Sequence, residues 1–340
     1  MSMKKFPFED FTLVMTRDCN LRCEYCPLEH FPSFIEKKVL NSFFQNIINY
    51  NNYHIYITLF GGEPLLNKEG ILFIYNFLNE NSSKFNANGL TITLKIVTNG
   101  TLLNDDYLVL LDNLNQINFV DLIINLSIDG NKETQLRQRN FKIGFMDYYE
   151  KLDKNIRGLL KKDIKMELGM VMSFFNANIL QDILHLLKEY KKPLFIMPVD
   201  LTYDYIKKTN DLSTGIQKYM ENINKVIFGI RKLGIEKHIV NFQNDYRDIK
   251  IPPIGPTIDT NGDIYTTRDF LFTMDKSTGF EPIGRMKDGQ FSEIINYFHI
   301  DRINEIEQSA LRTYYGKTFT FNKSIGDFFT NLIYIEQGKD

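Results

Sequence analysis

From Phe11 to Leu233 the chain alternates short apolar or β-branched runs with longer segments whose apolar residues recur at helical spacing. The runs occupy residues 11–16, 55–60, 92–98, 122–128, 165–173 and 193–199. The amphipathic segments cover about 34–50, 67–80, 104–116, 146–161, 177–190 and 214–233. Several helix starts are marked. Ser33 with Glu36 three residues on reads as a capping box, and Asn67, Asn104 and Asn178 read as N-caps. Such alternation implies right-handed βαβ units and a parallel sheet, so the fold class is α/β. Periodicity alone does not separate an open doubly wound sheet from a barrel.

Polar and glycine-rich residues gather where successive runs end. Gly61-Gly62-Glu63-Pro64 follows the second, Thr98-Asn99-Gly100 the third and Ser127-Ile-Asp129-Gly130 the fourth. One such cluster is a turn signal. Several in register mark the C-terminal edge of the sheet, where open α/β sheets and barrels alike place their sites.

Composition narrows the classes. With 340 residues and 43% hydrophobic side chains, the chain can bury a large core as one domain or two. A formal charge of −2 leaves no basic excess to neutralise phosphates, so nucleic acid is not an expected partner. Lysine pairs such as Lys161-Lys162 and Lys191-Lys192 read as solvated helix ends. The first ten residues contain no apolar signal region, and no uncharged stretch of 18 residues occurs, so no membrane span is expected.

The three cysteines of the chain fall in one loop after the first run, as Cys19-Asn-Leu-Arg-Cys23-Glu-Tyr-Cys26. A Cys-x3-Cys-x2-Cys loop supplies three thiolates to one iron–sulfur cube and leaves the fourth iron without a protein ligand. A ferredoxin-type cluster would need a fourth cysteine. Structural zinc is the alternative, and it wants a fourth Cys or His at short spacing; His30, four residues after Cys26, could serve. Three reduced thiols point to a reducing compartment, the cytoplasm.

The cysteine spacing and the strand-end clusters together resemble the radical S-adenosylmethionine (SAM) superfamily, in particular its SPASM/twitch-related peptide maturases and anaerobic sulfatase-maturing enzymes. The likeness runs from about residue 11 to 199, with a weaker echo to about 285. It implies a partial (β/α)6 TIM-like barrel over residues 1–235, one [4Fe–4S] cluster, and SAM at the barrel mouth. Cys19, Cys23 and Cys26 would ligate the cube, and Tyr25 would lie near the adenine through its backbone. Gly61 and Gly62 would let the backbone approach SAM, and Glu63 would accept from its ammonium group. Ser127 would contact the ribose or carboxylate end, and Arg139, twelve residues on, would pair with the carboxylate. The family segment between them usually holds a His-Asp pair, where this chain reads Thr134-Gln-Leu-Arg-Gln138. Asn99 and Asp129 would orient neighbouring groups or cap turns.

Residues 257–265 carry a hairpin pattern with Asn261-Gly262 at the turn. It resembles the hairpin that opens the SPASM/twitch extension, but Gly255 and Thr267 stand near the places where cysteines flank the turn. Residues 283–294 echo the next element. Residues 236–340 are therefore expected to form a cluster-free α+β extension serving as a substrate lid. With no auxiliary cluster and no spare cysteine, a cysteine-quenched epimerase is disfavoured. Asp200 could act as a base or begin a turn.

The resemblance implies an enzyme that acts on a peptide or protein side chain and takes electrons from a flavodoxin or ferredoxin. The alternative is a dehydrogenase, mutase or epimerase of a carbohydrate or other small metabolite. A cluster-bearing electron carrier would have no use for the Gly-Gly-Glu and Ser/Arg positions.

Overall fold

A computed structural model describes residues 9–49, 53–142, 147–173, 176, 178–199, 212–243, 255–265, 282 and 284–286. Asp200 and Thr267 lie outside them. The strands, in chain order, are β1 (Asp10–Thr16), β2 (Leu21–Cys23), β3 (His54–Gly61), β4 (Thr91–Thr98), β5 (Val120–Ser127), β6 (Arg139–Phe141), β7 (Lys165–Met172), β8 (Leu194–Pro198), β9 (Thr257–Ile258), β10 (Asp263–Tyr265) and β11 (Gly284–Arg285). The helices are α1 (Lys37–Ile48), α2 (Lys68–Glu80), α3 (Ser82–Ala87), α4 (Asp105–Asn115), α5 (Lys132–Gln138), α6 (Tyr149–Leu160), α7 (Ile179–Tyr190), α8 (Leu212–Lys232) and α9 (Val240–Gln243).

Six strands, β1, β3, β4, β5, β7 and β8, lie side by side in that order, each parallel to the next. Helices fill the crossovers between them, giving the expected (β/α)6 arrangement. Among the described residues the two ends do not pair with each other: beyond β8 lies a bridge from Leu194 to Ile239, and beyond β1 lies β9. The sheet is an open, partial barrel. None of the described helices is long and apolar enough to cross a membrane.

Alternation along the strands sets two faces. Leu122, Ile124 and Leu126 of β5 and Ile92, Leu94 and Ile96 of β4 are fully buried. Leu126 meets Leu152 of α6 over Gly100, so this is the helix side. Lys95, Val97, Asn125 and Ser127 turn to the other face, which is open to a cavity. Edge-to-face rings tie the first layers together, Phe11 to Phe43 at 5.3 Å and Phe43 to Phe44 at 5.1 Å.

Two of the four expected caps form. Asn67 accepts from Gly70 N, and Asn104 from Tyr107 N. The capping box does not. Helix α1 starts one turn later than Ser33 would place it, and the Ser33 hydroxyl is shared with Thr260 Oγ1 at 2.7 Å. Asn178 stands at the start of α7 without a side-chain cap bond.

The C-terminal hairpin forms as expected from β9 and β10, with Gly262 at φ +88° in its turn. Its position is less expected. Strand β9 pairs in parallel with β1, Thr12 opposite Thr257, and β11 adds outside β10. The described part of the extension thus widens the core sheet at its β1 side rather than lying over the strand ends. Gly255 has a steric reason: a Cβ there would sit 2.4 Å from Asp10 O.

Candidate active site

At the C-terminal ends of the parallel strands lies a cavity of about 480 Å³, within the usual range for a small-molecule site. Of the ten residues expected at the site, nine line it: Cys19, Cys23, Tyr25, Cys26, Gly61, Gly62, Asn99, Ser127 and Arg139. Glu63 lies just behind, 1% exposed.

The loop after β1 delivers the three thiols, and each sulfur has a nitrogen near it. Leu21 N donates to Cys19 Sγ at 3.4 Å, with Asn99 Nδ2 at 3.9 Å. Arg139 Nη1 lies 4.0 Å from Cys23 Sγ, and His30 Nε2 3.5 Å from Cys26 Sγ. Burial, reinforced by Glu63, pushes the Cys19 thiol up to about 12, and burial raises Cys23 and Cys26 as well. Ionising them therefore requires strong positive charge in their midst, which bonding to iron supplies. Among the described residues no three His, Cys, Asp or Glu side chains converge on a single-ion site. Three thiols in one loop, each with a nitrogen beside its sulfur, fit a cluster held by three cysteines better than mononuclear zinc, for which no fourth ligand is gathered among the described residues.

The double glycine has a reason within the chain itself. A Cβ on Gly61 would lie 2.1 Å from Thr16 O, and one on Gly62 2.0 Å from Asp18 O. Gly61 also takes φ +128°. Their absence of side chains lets the end of β3 lock onto the cysteine loop, through Gly62 N to Thr16 O and Glu63 N to Asp18 O, each 2.9 Å.

Glu63 is heavily committed. Its carboxylate accepts from Leu65 N (3.0 Å), Thr98 Oγ1 (2.6 Å) and Asn99 N (2.7 Å), joining the ends of β3 and β4. Burial nevertheless outweighs these bonds and raises it to about 7. Asn99 both closes its own turn, accepting from Thr101 N, and donates to Asn20 Oδ1 at 2.9 Å in the cysteine loop.

Arg139, expected to pair with the SAM carboxylate, lines the cavity and is also held within the chain. Its Nε and Nη2 form a two-point bond with Asp129, at 2.8 and 2.9 Å. Tyr25, expected to act through its backbone, buries its side chain and donates to Asp129 Oδ2 at 2.5 Å. Where the family pattern has a His-Asp pair, Gln135 accepts from Asp129 N and Thr134 donates to Asp182.

Three features were not anticipated. Strands β2 and β6 pair, Cys23 opposite Arg139; three-residue strands carry no readable period. Arg17 and Asp259 pair across the sheet. On the cavity floor, Lys95 Nζ donates to Glu167 Oε2 at 2.8 Å beside Asn125. That trio had a signal: polar residues inside parallel strands, which usually read as continuous apolar runs.

The family model for the Radical SAM superfamily matches residues 13–187, just over half of the chain. An uncharacterized protein of Methanocaldococcus jannaschii is 26% identical over 241 residues, covering 69% of this chain and 75% of that one. The serine-type anaerobic sulfatase-maturating enzyme of Bacteroides thetaiotaomicron is 29% identical over 180 residues, 50% of this chain and 41% of that enzyme. The match thus spans less than half of that relative's length. Among solved structures, native anSMEcpe with bound AdoMet and Cp18Cys peptide superposes with a TM-score of 0.69 at 20% identity, covering 88% of this chain and 83% of that one. Streptococcus suis SuiB bound to S-adenosylmethionine gives 0.57 at 12% identity, covering 86% and 66%. Those two share the fold. With its three-cysteine loop at the mouth of an open (β/α)6 sheet, the chain belongs to the radical SAM superfamily.

Proposed function

We propose that this radical SAM enzyme modifies a peptide or protein side chain, in the manner of a maturase of ribosomally made peptides. One observation carries the reading: Cys19, Cys23 and Cys26 share a single cavity with Gly62, Ser127 and Arg139 at the strand ends. Supporting the substrate class, the relatives include sulfatase-maturating enzymes, and the neighbours include SuiB bound to the precursor peptide SuiA, with a TM-score of 0.52.

A [4Fe–4S] cluster, once reduced by an external electron donor, would supply with bound SAM a one-electron cleavage of the sulfonium to methionine and a 5′-deoxyadenosyl radical able to take hydrogen from an unactivated C–H bond. The chain's own residues hold and shield that chemistry. Cys19, Cys23 and Cys26 are the ligands. Gly61 and Gly62 would line the site for SAM, with Glu63 behind them holding the ends of β3 and β4 together, Asn99 braces the cysteine loop, and Ser127 and Tyr25 would also contribute to the SAM site. Phe60, Val97, Val171 and Met197 form apolar walls that exclude water from a reactive radical. The electron donor is a flavodoxin or ferredoxin, and the compartment is the reducing cytoplasm.

The test is anaerobic reconstitution followed by assay of SAM cleavage, with and without a short precursor peptide encoded beside the gene. About four irons per chain, with 5′-deoxyadenosine release and a mass change on the peptide, is the expected outcome. Cleavage that yields no modified peptide but does alter a carbohydrate or other small metabolite would shift the assignment to that substrate class.

A further inference from the structure

Arg139 reaches the cysteine loop through the β2–β6 ladder, which sets it opposite Cys23 in antiparallel register. Its Nη1 points at Cys23 Sγ from 4.0 Å. The remaining fork is spoken for, because Nε and Nη2 are bonded to Asp129 Oδ2 and Oδ1. Asp129 is fully buried and accepts two further bonds, from Tyr25 Oη (2.5 Å) and Val171 N (3.1 Å). The backbones of both partners are pinned as well: Gln135 Oε1 accepts from Asp129 N, and Tyr148 Oη donates to Arg139 O at 2.7 Å. One carboxylate thus gathers the cysteine loop, β6 and β7 around a single guanidinium.

We infer that Asp129 is a positioning residue for the cluster: by clamping the Arg139 fork it fixes a permanent positive charge and an N–H donor against Cys23 Sγ, which stabilises added negative charge there and raises the reduction potential. Donors and charges beside cluster sulfurs tune potential in this direction, and little water intervenes to screen them. The inference rests on the proposed ligation of a [4Fe–4S] cluster by Cys19, Cys23 and Cys26. It differs from the role that the family resemblance implies for Arg139, because its effect exists before SAM binds.

That difference supplies the test. The full chain is reconstituted anaerobically and titrated with dithionite in redox mediators, without SAM, following the one-electron reduction of the cluster by electron paramagnetic resonance. Arg139→Met should shift the midpoint to more negative potential, whereas Arg139→Lys, which keeps the charge but not the two-point bond to Asp129, should shift it less. Asp129→Asn should broaden the signal, because the guanidinium loses its clamp. A wild-type midpoint and signal in Arg139→Met, with only SAM affinity lost, would overturn the inference and return Arg139 to the SAM carboxylate. Should Arg139→Met fail to retain iron, Arg139→Lys decides: retained iron with a small negative shift supports the inference, and an unshifted midpoint or lost iron refutes it. Failure of the unmodified chain to assemble any cluster would instead overturn the ligand assignment beneath it.

Discussion

Arg17 and Asp259, 242 positions apart, form a two-point ion pair: Nε to Oδ1 at 3.1 Å and Nη2 to Oδ2 at 2.7 Å. The guanidinium also lies 5.5 Å from the Phe31 ring. The bond ties the start of the cysteine loop to the C-terminal hairpin, and both side chains are almost wholly buried. Asp259→Asn would break this buried ion pair, which costs about 3–5 kcal/mol. Urea denaturation should show that loss, with the double variant Arg17→Met/Asp259→Leu destabilised less than Asp259→Asn alone. Equal or greater loss in the double variant would mean the pair matters for something other than charge balance.

Glycines test how closely the loop is held. Gly62→Ala should strip most of the iron from reconstituted protein, because its Cβ would have to displace Asp18 O. Gly89 is the control. It takes φ +63° with nothing within 4 Å of an added Cβ, so Gly89→Ala should cost about 1–2 kcal/mol of stability and leave iron content unchanged. Iron assay and thermal melting of the two variants give the comparison.

Each thiol should be indispensable. Cys19→Ala, Cys23→Ala and Cys26→Ala should each abolish 5′-deoxyadenosine formation in dithionite-reduced protein, since two thiolates do not secure the cube. Retained turnover in any of the three would remove that residue from the ligand set.

Glu63 should leave a signature in the pH dependence of stability. Burial holds its carboxyl at about 7, above its ordinary value of 4.5, so the folded chain keeps a proton that the unfolded chain gives up earlier. Its contribution to stability is complete below about 4.5 and is lost as pH rises through about 7. The melting temperature of metal-free protein should therefore fall across that window more steeply than in Glu63→Gln. Absolute stability of Glu63→Gln should also be lower, because an amide N–H₂ would face backbone donors. The slope is the diagnostic quantity, and parallel curves would place the Glu63 titration elsewhere.

The architecture could be read from the chain because its cues are local. The run at 122–128 alternates and became β5, and Asn104 precedes the apolar spacing of α4 and does cap it. The cysteines and glycines were legible for the same reason, being contiguous motifs. What stayed hidden depends on distant partners. Ser33 has the sequence of a capping residue, yet its hydroxyl goes to Thr260, which no local rule anticipates. Arg139 lies at the expected spacing from Ser127, but its orientation follows from Asp129 and from a ladder too short to show a pattern. Lys95 and Glu167 stand out as charges inside apolar strands, but that they pair follows only from β4, β5 and β7 being neighbours.

The pairing of β1 with β9 has a consequence for the order of events during synthesis. The first strand of the sheet takes one neighbour, β3, early in translation, but its other neighbour begins at Thr257. Contacts of such long sequence separation form late, because the intervening chain must be made and its loop entropy overcome first. Until then Arg17 lacks Asp259, and Ser33 lacks Thr260. The segment carrying Cys19, Cys23 and Cys26 therefore leaves the ribosome with its contacts to β3 and β4 available early but its C-terminal bracing still unmade, so iron delivery is best timed to the completed chain.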